Sequence, residues 1–85
     1  MDLKLYAIYD KKAEEFGNPF VHTNDWLAIR KLNTDLKNPN SEIVLHSGDF
    51  ALYYIGAYDS KSACITTDNP PKFVEEISTI IKTGG

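Results

Sequence analysis

The chain is 85 residues long, 42% apolar and 25% charged, with a formal net charge of −3. That length admits one core and hence one domain, residues 1–85, and the apolar content excludes wholesale disorder. The acidic balance excludes a polybasic packaging protein but not a nucleic-acid binder with a local basic patch. Residues 1–40 carry six basic and six acidic side chains, and residues 41–85 carry three and six, so the whole deficit falls in the second half.

Leu3 to Tyr9 alternates, with Leu3, Leu5, Ala7 and Tyr9 on one face and Lys4, Tyr6 and Ile8 on the other. Apolar groups on both faces predict a strand inside a sheet. Asp10 to Asn18 reads as a polar hairpin loop, and Pro19 to His22 as a short strand, since proline suits a strand start or edge. Thr23, Asn24 and Asp25 supply helix N-cap candidates. Trp26, Ile29, Leu32 and Leu36, flanked by Ala28, recur at helical spacing. Pro39 biases Asn38 away from helical geometry, so a helix is predicted over about residues 25–37.

Glu42–His46, Phe50–Tyr58 and Ala63–Thr66 read as three strands of a meander, with turns at Ser47-Gly48-Asp49 and Asp59–Ser62. Gly56, isolated inside the second of these, predicts a bulge or a close approach by another backbone. Asp68-Asn69-Pro70-Pro71 opens a last helix, because a first-turn proline lacks only an N–H that would be unpaired anyway. Phe73, Val74, Ile77, Ile80 and Ile81 form its apolar stripe, and Gly84-Gly85 its end. The predicted fold is α+β: a small antiparallel sheet of about five strands with two helices, in the order β-β-α-β-β-β-α.

No catalytic constellation emerges from the chain. Glu14-Glu15 and Glu75-Glu76 are sequence neighbours, which do not face one another on a helix. His22 and His46, the only histidines, are too few for a metal site without further ligands. Cys64, the sole cysteine, reads as a small core hydrophobe on a short strand and cannot form an internal disulfide. No glycine-rich phosphate loop occurs. The expectation is a protein without enzymatic activity, metal or cofactor. Met1 to Tyr9 lacks the pattern of a signal peptide, and no apolar run approaches the roughly 20 residues of a membrane span. These features predict a cytoplasmic protein without membrane contact.

Two features bear on binding. Lys11 and Lys12 in the first loop, with Arg30, Lys31 and Lys37 on the first helix, form a basic group of the kind that binds phosphates. A solvated helix face beside Asp10, Asp25 and Asp35 would read the same way. The second feature is Phe50 to Tyr58, nine residues without a charge. Phe50, Leu52, Tyr54 and Tyr58 fall on one face, and Ala51, Tyr53, Ile55 and Ala57 on the other. Two short helices comfortably cover one face of a small sheet. The second face then requires a helix of its own, a partner chain held by Tyr53, Ile55, Phe50, Tyr54 and Tyr58, or nucleobases stacked on Tyr53.

The opening Lys4-Leu5-Tyr6-Ala7-Ile8-Tyr9-Asp10-Lys11-Lys12 precedes Gly17-Asn18-Pro19-Phe20-Val21, Asn24-Asp25-x-x-Ala28-Ile29-Arg30 and Asp49-Phe50-x-Leu52-Tyr53-x-Ile55-Gly56-x-Tyr58-Asp59. Together with Pro70-Pro71, these segments resemble the small nonstructural protein of gokushoviruses, the single-stranded DNA phages that include the Chlamydia phages. The resemblance runs from about Leu3 to Pro71. It implies a non-capsid viral protein of the host bacterial cytoplasm, assigned to the switch from double-stranded replication to single-stranded genome synthesis, with DNA binding attributed. Lys11, Lys12 and Arg30 are the matching positions suited to phosphate contact.

The expected function is therefore that of an accessory factor in viral single-stranded DNA replication. DNA would meet Lys11, Lys12, Arg30, Lys31, Lys37 and Tyr53, in a chain that is monomeric or a homodimer. The alternative is a protein-interaction module that dimerises, or binds a viral or host replication protein, without touching DNA.

Overall fold

The structure, a computed structural model, describes residues 2–82. Its elements are β1 (Asp2–Asp10), β2 (Glu15–Phe16), β3 (Phe20–His22), α1 (Asp25–Asp35) and α2 (Glu42–Leu45), then a 3-10 turn at Ser47–Asp49, β4 (Phe50–Asp59), β5 (Cys64–Glu76) and α3 (Ile77–Lys82). The strands form one antiparallel sheet in which β1 pairs with β4, and β4 with β5. On its other edge β1 pairs with β3 through Lys4–Tyr6 and with β2 through Tyr9–Asp10. The two strands with apolar groups on both faces, β1 and β4, thus lie side by side in the middle of the sheet.

All three helices pack on one face. Tyr6 and Leu52 project from the sheet to meet Ala28 and Leu32 of α1 and Ile77 and Ile80 of α3, and these six buried side chains form the core cluster. Ile8, Phe20, Ile43, Phe50, Tyr54 and Val74 pack around it. Tyr6 is fully buried, and its hydroxyl donates to Oδ1 of Asp25 at 2.5 Å. Burial, and then this bond to a carboxylate, push the Tyr6 hydroxyl well above the ordinary tyrosine range.

α1 starts where Asn24, in extended conformation, accepts a hydrogen bond from the Leu27 N–H at 2.9 Å. Its buried stripe is Ala28 and Leu32, with Ile29 and Leu36 beside them. Trp26, expected in that stripe, is instead 72% exposed. At 3.6 residues per turn it sits about 160° from Ala28 and about 120° from Leu32.

The hairpins β1–β2 and β4–β5 close in the same way. Asp10 Oδ1 accepts from the backbone N–H of Lys12 and Ala13, and Asp59 Oδ1 accepts from that of Lys61. Each loop ends on a residue with positive φ, Glu14 at 56° and Ala63 at 62°. The backbone N–H of Lys61 and the side chain of Ser62 hold the Asp59 carboxyl below the usual range.

Four elements differ from expectation, the first being β2, since Glu15–Phe16 lie inside the expected loop of residues 10–18 yet pair with Tyr9 and Asp10. Residues 42–46 were expected to be a strand, but Glu42–Leu45 form one helical turn, closed by Leu45 N–H to Ser41 C=O at 2.8 Å. The two edges of β4, the strand that follows in the chain, are taken by β1 and β5, so this segment does not pair with it, and Ile43 packs against the core from the helix side instead. The expected short strand at 63–66 continues through both prolines to Glu76, and the last helix starts only at Ile77. β5 is an edge strand, where proline's missing N–H removes no ladder bond on the outer side. Extension also places Phe73 opposite Tyr53 on the open face while Val74 reaches the core. Cys64, expected in the core, is exposed at the start of that strand. The expected end of the last helix at Gly84-Gly85 lies outside the described residues.

Candidate functional site

The expected contact residues fall on three separate parts of the molecule. The first is the outer surface of α1. His22, Leu27, Arg30, Lys31 and Thr34 line an open hollow of about 300 Å³. β3 and α1 bring them together, because the cap at Asn24 starts the helix two residues after His22. Lys31 lies 3.2 Å from Asp35 one turn along. Among the described residues, the Arg30 guanidinium has no ion pair. Trp26 lies one turn before Arg30 on the same side of the helix, with its indole largely in solvent. Lys37 falls beyond the helix, where its ammonium donates to Oδ1 of Asn33 at 3.3 Å.

The second part is the β1–β2 loop. Lys11 donates to Glu76 Oε1 at 2.6 Å and to the Gly48 carbonyl at 3.2 Å. Lys12 is exposed and has no ion pair among the described residues. Along β1 the loop lies six residues from Lys4, the partner of His22, or roughly 20 Å. Lys11 and Lys12 therefore do not extend the α1 group.

The third part is the sheet face that the helices leave open. Phe16, Tyr9, Tyr53 and Phe73 form a row of rings across it. Their centroids are 4.7 Å apart from Phe16 to Tyr9, 5.7 Å from Tyr9 to Tyr53 and 5.9 Å from Tyr53 to Phe73. The small Ala7 and Ala51 lie buried between them. Tyr53 thus faces away from α1, on the opposite side of the sheet from Arg30 and Lys31. Of the residues expected to share an interface with it, Phe50 and Tyr54 pack against the core on the helix side. Tyr58 sits opposite Ile65 toward the far end of the open face, and Ile55 lies at a register shift where β4 bulges.

Two contributions escaped sequence reasoning. Phe16 was placed in a loop and Phe73 in a helix, so neither joined Tyr53. Trp26 was assigned to the core, although its helical angle relative to Ala28 marks it as outward.

Among the described residues no group of three or more histidine, cysteine, aspartate or glutamate side chains is placed to hold a metal ion. No helix among them is long and apolar enough to cross a membrane.

The architecture is that of a small antiparallel sheet with helices on one face and an aromatic row on the other. The family model described as Phage ORF5 protein matches residues 3–80, and the chain belongs to that phage protein family. No curated protein and no solved structure matches it.

Proposed function

We propose that this phage protein is the nonstructural protein of a gokushovirus and acts in the host cytoplasm as an accessory factor in single-stranded DNA replication. It works by binding DNA rather than by catalysis. The observation that carries the reading is the hollow joining His22, Arg30, Lys31 and Thr34, with the exposed indole of Trp26 one helical turn before Arg30. Cationic side chains attract phosphates, and an aromatic ring offers a base a stacking surface worth about 1–3 kcal/mol. The site combines both on one helix, which suits a strand whose bases are unpaired. The local patch outweighs the formal charge of −3, because phosphate contacts act within about 10 Å at ordinary salt.

Fluorescence anisotropy of a labelled thymidine oligonucleotide tests this. With two or three phosphates neutralised, affinity falls by about tenfold between 50 and 200 mM salt. Arg30→Ala weakens binding and flattens that dependence. A chain that leaves the oligonucleotide unbound at low salt refutes the reading.

A second reading, a protein-interaction module independent of DNA, draws on the open aromatic face. Under it, Arg30→Ala has no effect on association with a partner, and changes on the sheet face abolish it.

A further inference from the structure

We infer that the open face of the sheet is the seat of a second copy of this chain, so that two sheets pack face to face with the helices outside. The inference is independent of DNA binding and concerns the opposite side of the molecule.

The face carries Phe16 at 43%, Val21 at 41%, Phe73 at 53% and Ile65 at 60% exposure, spread from one edge strand to the other around Tyr9 and Tyr53. Large apolar side chains gathered on one surface mark an interaction site, whereas scattered ones do not.

Charge selects the occupant. Along the ring row the face is uncharged, and at its end Lys11 and Glu76 neutralise each other at 2.6 Å. Among the described residues the ring row itself carries no cation for a phosphate backbone to meet. A second copy brings an equally uncharged surface, so two chains of net charge −3 meet without like charges in contact.

Area agrees. Four strand positions at about 4.8 Å and seven to nine residues at about 3.3 Å give roughly 440–570 Å² per copy. Two copies bury roughly 900–1,100 Å², at the threshold of about 1,000 Å² for a specific interface. Sheets pack about 10 Å apart with interdigitating side chains.

The test is the mass of the full chain by light scattering over a concentration series, for the native sequence and for Phe73→Asp and Ile65→Asp. Both substituted side chains are more than half exposed, so the fold tolerates them, and circular dichroism verifies that. The expected result is a species of twice the 9.6 kDa chain mass that either substitution shifts to monomer. Leu45→Asp, on the helix side and 62% exposed, leaves the dimer intact. A monomer at several hundred micromolar overturns the inference, as does a dimer indifferent to Phe73→Asp and Ile65→Asp. A monomer whose Phe73→Asp form loses oligonucleotide binding also overturns it, by placing DNA on this face.

Discussion

At the scale of single residues, Tyr6 joins the sheet to the start of α1. Its ring lies in the core and its hydroxyl reaches Asp25, the first residue of the helix. A hydrogen bond to a carboxylate is worth about 1.5–3 kcal/mol when both groups are dry. Here the Asp25 side chain is about half exposed and can return to water. Tyr6→Phe is therefore expected to cost about 1–2 kcal/mol at neutral pH, read from urea denaturation. The pH dependence has a definite sign. Folding raises the Tyr6 pKa above its ordinary 10.0, so the folded state favours the neutral hydroxyl. That contribution is complete below pH 10 and is lost as pH rises above 10, where the unfolded chain ionises first. Denaturation between pH 9 and 11 should show a decline in stability that is shallower in Tyr6→Phe.

Among the elements, the pairing of β4 with β5 depends on the absence of a side chain at Gly56. A Cβ there would lie 2.2 Å from the Thr66 carbonyl oxygen and 3.0 Å from the Thr67 Cα. Both are backbone atoms, so no rotamer change relieves the clash and β5 itself has to move. Gly56→Ala is expected to destabilise by about 1–3 kcal/mol, measured as a lowered urea midpoint. This close approach was legible in the sequence, because an isolated glycine in a strand has few other uses. β1, β4 and α1 were legible too. Leu3–Tyr9 and Phe50–Tyr58 are apolar on both faces, and Asn24 has the side chain a helix start requires. β5 was not. Phe73, Val74, Ile77, Ile80 and Ile81 fit a helical stripe as well as the strand-then-helix observed. What decides between them is the free edge of β4, a partner distant in sequence that local periodicity does not report. The same holds for Ile43-Val44-Leu45, whose β-rich composition was overridden because both edges of β4, the strand that follows them, are taken by β1 and β5. Of the candidate site, the α1 cations were legible, but Trp26 was hidden by its i+3 spacing to Ile29.

For the whole molecule, the sheet separates two surfaces of different chemistry. The helix side presents Arg30, Lys31, His22 and Trp26, and the other side presents rings without net charge. Two copies joined through the rings would carry their α1 surfaces on opposite outer sides, roughly 30 Å apart given sheet and helix layers of about 10 Å each. Such a dimer would engage two separate stretches of nucleic acid rather than doubling its hold on one.

The most direct test of the account is the intrinsic fluorescence of Trp26, the only tryptophan in the chain. Its indole is in solvent one helical turn before Arg30, so a base stacked there quenches it. Titration with a thymidine oligonucleotide at 50 mM salt is predicted to quench the emission saturably, and added salt to restore it. Emission that the oligonucleotide leaves unchanged, or quenching indifferent to salt, would contradict a DNA-binding role for the α1 surface.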